Sequence, residues 1–221
     1  MKTVLITGAE RGIGQALFQK FLDEGYFVMG TYFSAQPEEQ ERALWFKLDL
    51  SQPDSIETCI QSIEDTGKKI DVLVNNAGIL ADEDETSVVI EKLRKTLEVN
   101  LIGTIDFTEQ MIPHMNMEGH IVMISSTAGS LELVGKVSHF MGHYPAYKIS
   151  KAALNMYART LAMKMEGQLI VSCVHPGWVK TAIGGEEADL TPQQAADGIY
   201  KIAGGRPQTG GFWFDGERLP W

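Results

Sequence analysis

The chain has 221 residues, 44% of them hydrophobic, and a formal net charge of −10 at pH 7. No segment approaches the roughly 20 consecutive apolar residues that a membrane-spanning helix needs, and the first residues lack the long apolar stretch of a secretory signal. Because the acidic balance also disfavours a nucleic-acid-binding surface, we expect one cytoplasmic domain, residues 1–221, that binds neither nucleic acid nor membrane.

Short apolar segments alternate with longer amphipathic ones along the chain. The strand-length segments are 3–7, 26–32, 43–48, 71–76, 120–125, 169–175 and 211–214. Most are uninterrupted rather than alternating in polarity, as expected for strands covered on both faces. The repetition of strand and helix predicts an α/β fold with a single doubly wound parallel sheet of about seven strands and helices on both faces.

Helical spacing of apolar residues marks the segments between these strands. It recurs over 13–21 and 56–63, and residues 86–117 are long enough for one long helix or two abutting ones, with Pro113 near the end. The sequence Thr-Pro-Gln-Gln at 191–194 predicts a helix start, with Thr as the N-cap, Pro at the first position and Gln at the third.

The segment "TGAERGIG" (7–14) follows the first predicted strand and precedes the first predicted helix. Gly8, Gly12 and Gly14 allow a tight turn, close approach of the backbone to a pyrophosphate, and close packing of helix on strand. The phosphate would face the free N–H groups and the positive end of the helix dipole. A glycine-rich loop without a ligand is the alternative, but the position between strand and helix favours a dinucleotide site.

The segment "HYPAYKISK" contains the pattern Tyr-x-x-x-Lys twice, beginning at Tyr144 and again at Tyr147. A lysine four residues after a tyrosine lies on the same helix face, and its charge, with that of an oxidised nicotinamide, lowers the tyrosine pKa from about 10. Pro145 separates the two copies, because the residue before a proline avoids the helical region. We therefore predict Tyr147 as acid/base and Lys151 as its electrostatic partner, with Tyr144 in a loop beside the substrate.

These motifs resemble those of the short-chain dehydrogenase/reductase family, and most of all its C-factor/sniffer-type carbonyl reductase branch. Besides the Gly-x-x-x-Gly-x-Gly turn, the matching segments are "NNAG" (75–78), "GHIVMISSTAG" (119–129), "YKISKAALNMYARTLA" (147–162), "VHPGWVKT" (174–181) and "GGFWFDGERLPW" (210–221). The resemblance implies a Rossmann-like fold and an oxidoreductase that transfers hydride between NAD(P)(H) and a carbonyl or secondary alcohol of a small substrate.

The resemblance also implies which residues form the site. Ser126, followed by Gly129, would hydrogen-bond the substrate oxygen, while Ser125 would face the other way because neighbours in a strand alternate sides. Asn100 would kink the fourth helix and hold a water that relays protons to the lysine, unless it only marks a helix boundary. The implied catalytic residues are Ser126, Tyr147, Lys151 and Asn100. The implied cofactor contacts are Gly8, Arg11, Gly12, Ile13, Gly14, Ser34, Asp49, Leu50, Asn76, Ala77, Gly78, Tyr147, Lys151, Pro176, Gly177, Val179 and Thr181.

The choice of cofactor depends on the ribose 2′ position, where an acid at the end of the second strand favours NAD(H) and a cation favours NADP(H). The second strand ends "GTYFSAQP", without an acid before Glu38. Arg11 occupies the position where a basic residue accompanies NADP in the family, and Ser34 would add a hydroxyl. We therefore expect NADP(H) rather than NAD(H). Asp49 would contact the adenine, or alternatively cap a turn.

The connection from Ser126 to Tyr147 is longer than is common in the family, so we expect an enlarged loop over the substrate side. The apolar side chains that predict an apolar substrate wall are Leu131, Leu133, Val134, Phe140 and Met141. His139 and His143 lie in the same loop, where each would either touch substrate or remain at the surface. Ala182 replaces an acid of the close relatives, which leaves the role of the segment after Thr181 open.

Neither Cys59 nor Cys173 has a neighbour at metal-ligand spacing, so we expect no metal. In the family, helices corresponding to 86–117 and 147–167 often pair, which implies a homodimer or homotetramer. The methionines that fit such an interface, or equally an ordinary core, are Met111, Met115, Met156 and Met163. A cofactor-binding signalling protein of the C-factor type, with little or no turnover, is the alternative function.

Overall fold

The computed structural model describes residues 1–83, 85–136 and 142–221. Within these ranges the chain forms an eight-stranded sheet of order β3-β2-β1-β4-β5-β6-β7-β8. The strands are β1 (Thr3–Ile6), β2 (Phe27–Tyr32), β3 (Ala43–Lys47), β4 (Ile70–Asn75), β5 (Met115–Ile124), β6 (Ile170–Val174), β7 (Gly211–Phe214) and β8 (Glu217–Arg218). The first seven are parallel, which confirms the predicted fold, and the short β8 adds an antiparallel edge.

Six α-helices accompany the sheet in the described ranges. They are α1 (Gly12–Asp23), α2 (Pro53–Glu64), α3 (Ile90–Leu97), α4 (Thr104–Met111), α5 (Pro145–Lys164) and α6 (Pro192–Ala203). The order of strands reverses at β1, which pairs with β2 on one side and β4 on the other. In open α/β sheets ligands bind outside the carboxyl ends of the strands at such a reversal.

Two apolar layers, one on each face of the sheet, form the core. Successive β1 residues alternate between them: Leu5 joins the layer beneath α2, α4 and α5, whereas Val4 and Ile6 join the layer beneath α1 and α6. Both layers contain fully buried aromatic side chains, among them Phe107 in the first and Phe21 in the second. Two-sided coverage explains why the strands are uninterrupted apolar segments.

The predicted start of α6 is confirmed in detail. The Thr191 hydroxyl accepts a hydrogen bond from the Gln194 backbone N–H, and the Gln194 side chain accepts one from the Thr191 N–H. Two otherwise unpaired donors are satisfied by this reciprocal cap. Pro192 occupies the first helical position, where its missing N–H costs nothing.

The prediction of helix throughout 86–117 is wrong at both ends. Helix α3 begins only at Ile90, a π-helical segment (Glu98–Gly103) separates it from α4, and a 3₁₀ turn (Ile112–His114) closes the region. Strand β5 already begins at Met115, five residues before its predicted start. Proline at 113 cannot continue the helical ladder, and the apolar residues that follow suit a strand as well as a helix.

The last residues pack back onto the segment that follows β5. The Ser130 hydroxyl donates to the Pro220 carbonyl oxygen at 3.1 Å, and the Glu132 N–H donates to the Trp221 carbonyl oxygen at 3.1 Å. The Trp221 ring stacks on Phe212 with ring centres 5.3 Å apart. Residues 219–221 therefore brace the start of the connection that leads to α5.

Candidate active site

A cavity of about 950 Å³ lies at the carboxyl ends of β1 to β6. This volume is near the upper end of the range for small-molecule sites, about 300–1,000 Å³, and suits a ligand as large as a dinucleotide. The sequence-predicted residues that line it are Gly8, Arg11, Gly12, Ile13, Gly14, Asp49, Leu50, Asn76, Ala77, Gly78, Ser126, Tyr147, Lys151, Pro176, Gly177, Val179 and Thr181. Asn100 and Ser34 are not among the lining residues.

The glycine turn is shaped by close contacts that leave no room for side chains. Gly8 and Gly12 have positive φ values of 63° and 57°, which glycine adopts without strain. A Cβ at Gly14 would clash with the Gly8 carbonyl oxygen. The Asn76 amide donates to the carbonyl oxygens of Thr7 and Gly8, at 2.9 and 3.0 Å, and so ties the turn to the end of β4. The turn and the start of α1 therefore offer the bare backbone that a pyrophosphate needs.

Ser126 and Tyr147 meet beside the cavity. The Ser126 hydroxyl accepts a hydrogen bond from the Ala128 N–H at 3.1 Å and is also hydrogen-bonded to the Tyr147 phenol. The hydroxyl of Ser125 instead donates to the side chain of Asn155, as the alternation of strand residues predicts. Burial raises the pKa of Tyr147 to about 12, and the hydrogen bond to Ser126 opposes that rise.

The raised pKa differs from the sequence-based expectation that Lys151 lowers the pKa of Tyr147. Lys151 Nζ lies 5.6 Å from the centre of the Tyr147 ring and donates to the Ile124 carbonyl oxygen at 2.8 Å. Burial lowers the pKa of Lys151 to about 8, against a smaller rise caused by the sulfur of Cys173. Burial therefore outweighs the attraction between the two charged forms, and the neutral phenol is favoured at pH 7.

Gly129 explains why Ser126 stands three residues before a glycine. A Cβ at Gly129 would lie 2.5 Å from the Lys151 carbonyl carbon and 2.7 Å from the Ala152 nitrogen. The 3₁₀ turn that Ser126 caps (Thr127–Gly129) thus lies directly against the backbone of α5. Any larger residue would push the turn away from α5 and separate the serine from the tyrosine.

Asn100 lies in the π-helical segment, where the two α-helices of this region are separated. Its Oδ1 accepts from the Ile79 N–H at 2.8 Å, and its Nδ2 donates to the Ile79 carbonyl oxygen at 2.9 Å and to Ser150 Oγ at 3.2 Å. The Ser150 hydroxyl in turn donates to the Tyr147 carbonyl oxygen. Asn100 therefore joins the segment after "NNAG" to α5, and its role in a water relay stays a prediction.

Tyr144 lies outside α5, as the sequence predicts. It has a left-handed conformation, with φ 39° and ψ 53°, immediately before Pro145 begins the helix. Tyr144 lines the cavity, whereas the Lys148 ammonium donates to the Gly142 carbonyl oxygen at 2.6 Å. The second Tyr-x-x-x-Lys pair therefore has the helical geometry, and the first does not.

The apolar wall is built from other residues than those predicted. Leu131 is 84% exposed, and neither Leu133, Val134 nor His143 lines the cavity. His139, Phe140 and Met141 lie outside the described residues. The apolar side chains that do line the cavity include Ile79, Leu80, Trp178 and Ile183. The loop prediction failed because loop length and composition do not show which side of a loop faces inward.

The segment after β6 closes over one side of the cavity. The Trp178 indole N–H donates to the Gly184 carbonyl oxygen at 2.7 Å, and Val179 forms an isolated bridge with Leu190. Ala182 lines the cavity together with Ile183. The segment following Thr181, whose role the sequence leaves open, is thus part of the cavity wall.

At the opposite end of the cavity, charged side chains lie close to solvent. Arg11 precedes α1 and is exposed. The Glu10 carboxylate accepts hydrogen bonds from the backbone N–H groups of Phe33 and Ser34, at 2.7 and 3.1 Å. Asp49 Oδ1 accepts from the Ser51 N–H and hydroxyl, which is the turn geometry of the alternative prediction. We call this region (Glu10, Arg11 and Phe33) the ribose end, and Ser126, Tyr147 and Lys151 the catalytic end.

Two searches of the described residues, 1–83, 85–136 and 142–221, bear on metal binding and membrane insertion. They contain no group of three or more His, Cys, Asp or Glu side chains that could hold a metal ion. None of their helices is both long and apolar enough to cross a membrane.

Comparison with known proteins gives consistent matches. The family model described as short chain dehydrogenase matches residues 2–190. C-signal of Myxococcus xanthus is 31% identical over 164 residues, which cover 69% of this chain and 93% of that protein.

Two solved structures superpose over the whole chain. The NADPH-bound carbonyl reductase from chicken fatty liver has a TM-score of 0.90 at 25% identity, covering 100% of this chain and 94% of that one. The carbonyl reductase Sniffer of Drosophila melanogaster has a TM-score of 0.88 at 27% identity, covering 100% of both chains. The likeness therefore includes the cavity and both of its ends.

Proposed function

Because the chain belongs to the short-chain dehydrogenase/reductase family and is an NAD(P)-dependent oxidoreductase, we propose that it reduces a small carbonyl compound at the catalytic end. The observation that carries the proposal is the hydrogen-bonded pair of Ser126 and Tyr147 beside Lys151 in a cavity that also contains the glycine turn. A family member without turnover would need the cofactor cavity but not this arrangement.

The proposed reaction divides the work between side chains and cofactor. The reduced nicotinamide, when bound, supplies a hydride to the carbonyl carbon. The hydroxyls of Ser126 and Tyr147 hold the carbonyl oxygen, which becomes negatively charged as the carbon accepts the hydride. Tyr147 then gives its phenolic proton to that oxygen, and the product is an alcohol.

The environment of Tyr147 suits the direction of reduction. A pKa of about 12 means that the phenol carries its proton at pH 7 and is a donor rather than a base. The phenolate left behind accepts the Ser126 hydrogen bond and is stabilised by the ammonium of Lys151. Proton transfer from the lysine or through a water chain held near Asn100 would restore the phenol.

The cofactor that we propose is NADP(H). Arg11 supports this choice because it brings a guanidinium to the ribose end, where a 2′-phosphate would bind. The chicken carbonyl reductase, similar in fold over the whole chain, has NADPH bound. Gly78, Ala77 and Asn76 would line the nicotinamide side, since they follow β4 directly.

For the substrate we propose a small carbonyl compound with an apolar portion. The apolar side chains of Leu80, Trp178 and Ile183 border the cavity, and Tyr144 adds an aromatic ring. Such a wall favours aldehydes, ketones or quinones with a hydrophobic substituent over highly polar sugars.

We propose assembly through α5. Ile149, Met156 and Met163 recur at intervals of seven residues on this helix and are 44%, 68% and 74% exposed. An apolar stripe of this kind is typical of a helix–helix interface. Met111 and Met115 are buried and belong to the core instead. Light scattering of the purified protein would show a dimer or tetramer, whereas a monomer would contradict the proposal.

A single domain and a cytoplasmic location complete the proposal, as the sequence suggests. The alternative function, a cofactor-binding signalling protein, is supported by the similarity to a protein named C-signal. Both functions use the same cavity, so activity separates them.

The decisive experiment is oxidation of NADPH and NADH in the presence of a panel of aldehydes, ketones and quinones. We expect turnover with at least one apolar carbonyl compound, and loss of that turnover in Tyr147→Phe. Tight cofactor binding without turnover on any compound would contradict the enzyme proposal and favour the signalling one.

A further inference from the structure

Glu10 spans the gap between the glycine turn and the end of β2. One carboxylate oxygen, Oε2, accepts hydrogen bonds from two consecutive backbone N–H groups, those of Phe33 at 2.7 Å and Ser34 at 3.1 Å. Consecutive N–H groups that converge on one point form an anion-binding concavity. Here a carboxylate of the chain itself fills that concavity.

The position of this carboxylate matters because of what the end of the second strand does in dinucleotide-binding folds. An acid there accepts a hydrogen bond from the ribose 2′-hydroxyl, and a cation accommodates a 2′-phosphate. Strand β2 ends at Tyr32 and is followed by Phe33 and Ser34, so it supplies no acid of its own. Glu10 brings one to the same place from the neighbouring turn, and both Glu10 and Phe33 line the cavity.

The second carboxylate oxygen of Glu10 makes none of the hydrogen bonds found among the described residues. It is therefore available to a ribose hydroxyl. Arg11 follows Glu10 in sequence, but the two side chains form no ion pair in the part of the chain that the structure describes. The ribose end thus carries a carboxylate and a guanidinium that act separately on a ligand.

From this geometry we infer that Glu10 is a specificity-determining residue that discriminates against the 2′-phosphate. A phosphate group brings a charge of about −1.5 to −2 at pH 7 and seeks the same backbone N–H groups that the carboxylate occupies. NADP(H) must displace Glu10 or bind beside its negative charge, while NAD(H) gains an acceptor for its 2′-hydroxyl. Arg11 and Glu10 therefore act in opposite directions on cofactor choice.

The inference rests on the proposed function only in requiring that the cavity bind a nicotinamide dinucleotide. Its test measures the Kd of NADPH and of NADH by titration calorimetry for the wild-type chain, Glu10→Gln and Glu38→Gln. Glutamine has the shape of glutamate, and its amide oxygen can still accept from Phe33 and Ser34. Glu38→Gln removes the same charge from an exposed position in the connection after β2.

We expect the ratio Kd(NADH)/Kd(NADPH) to rise about tenfold in Glu10→Gln, because juxtaposed like charges commonly cost more than this in binding. In Glu38→Gln the ratio stays within about twofold of wild type, as expected for a distant exposed charge. Raising the salt concentration reduces the difference between wild type and Glu10→Gln, since exposed charges are screened.

An unchanged or lower ratio in Glu10→Gln overturns the inference, and so does an equal rise in Glu38→Gln. Glu10→Ser, which removes the carboxylate entirely, must change the ratio in the same direction and decides the matter if the glutamine variant does not fold. Wild-type protein that binds neither cofactor would instead refute the proposed function. Binding of both cofactors with a ratio insensitive to position 10 would leave that function intact and reject only the role of Glu10.

Discussion

The two ends of the cavity are built differently. At the catalytic end Ser126, Tyr147 and Lys151 are buried, and each is held by hydrogen bonds or close packing from β5 and α5. At the ribose end Arg11 is exposed, and the Phe33 side chain is 60% exposed. The difference shows that the chemistry depends on a rigid, desolvated arrangement, whereas cofactor choice depends on a few charges in contact with water. Single substitutions should therefore have much larger effects at the catalytic end.

The largest effect is expected for Tyr147→Phe. Loss of the phenolic proton should lower kcat for carbonyl reduction by about 10²–10⁴-fold, the range for positioned acid catalysis. The Kd of the cofactor should change little, because the ring and the packing of α5 are retained. Steady-state kinetics and titration calorimetry measure the two quantities.

Tyr144→Phe is the matched control for that substitution. Tyr144 lines the same cavity but stands before the helix, without a lysine one helical turn further along its face. We expect its kcat to stay within about tenfold of wild type, since it supplies no proton. Loss of turnover in Tyr144→Phe alone would show that the wrong tyrosine has been assigned.

The next effect concerns the packing of the turn after β5 on α5. Gly129→Ala would introduce a Cβ 2.5 Å from the Lys151 carbonyl carbon, and overpacking of this kind costs about 1–3 kcal/mol. Both the free energy of unfolding and kcat should fall, as measured by urea denaturation and kinetics. Gly198→Ala, inside α6 and 3.5 Å from the nearest atom, should instead leave kcat unchanged and stabilise by up to about 1 kcal/mol.

The dependence of activity on pH sharpens the comparison further. With a pKa of about 8, Lys151 loses its charge as the pH rises through 8, whereas Tyr147, with a pKa of about 12, stays protonated. The kcat/KM for the reduced cofactor, which reports the free enzyme, should therefore fall above pH 8 by at most about tenfold per pH unit. Lys151→Met should lower the plateau and remove this alkaline decrease. A decrease that persists in the methionine variant would assign it to another group.

The smallest effect is expected at the ribose end. Arg11→Ala should raise the Kd of NADPH about fivefold and leave that of NADH nearly unchanged, because an exposed charge contact contributes about 1 kcal/mol. Arg218→Ala, on the distant edge strand β8, serves as the control for overall charge. A loss at Arg11 as large as that at Tyr147 would contradict the view that the exposed end contributes modestly.

The features that sequence predicts well are those set by near neighbours in the chain. The glycine turn follows a strand directly, and Pro145 places Tyr147 and Lys151 on one helix. Local spacing and backbone chemistry suffice for both, and the structure has them as predicted in position. The roles of these residues await the kinetic tests.

Features that depend on distant contacts could not be predicted in the same way. The contact of Glu10 with Phe33 joins residues 23 apart, and no spacing rule connects them. The raised pKa of Tyr147 comes from burial by surrounding elements, which the Tyr-x-x-x-Lys pattern does not contain. Met115 begins a strand although its neighbours in sequence are helical, because the sheet provides a place beside β4.

The brace between residues 219–221 and the segment after β5 has a practical consequence for anyone who wishes to alter substrate scope. Ser130 and Glu132 are tied to Pro220 and Trp221, and the same segment continues toward Tyr144 at the cavity. A mutant library that randomises residues 130–136 alone would lose these ties in most of its members. Varying the two segments together would let selection find compensating pairs, and the surviving combinations would show how far the rim can be reshaped while the catalytic end is left untouched.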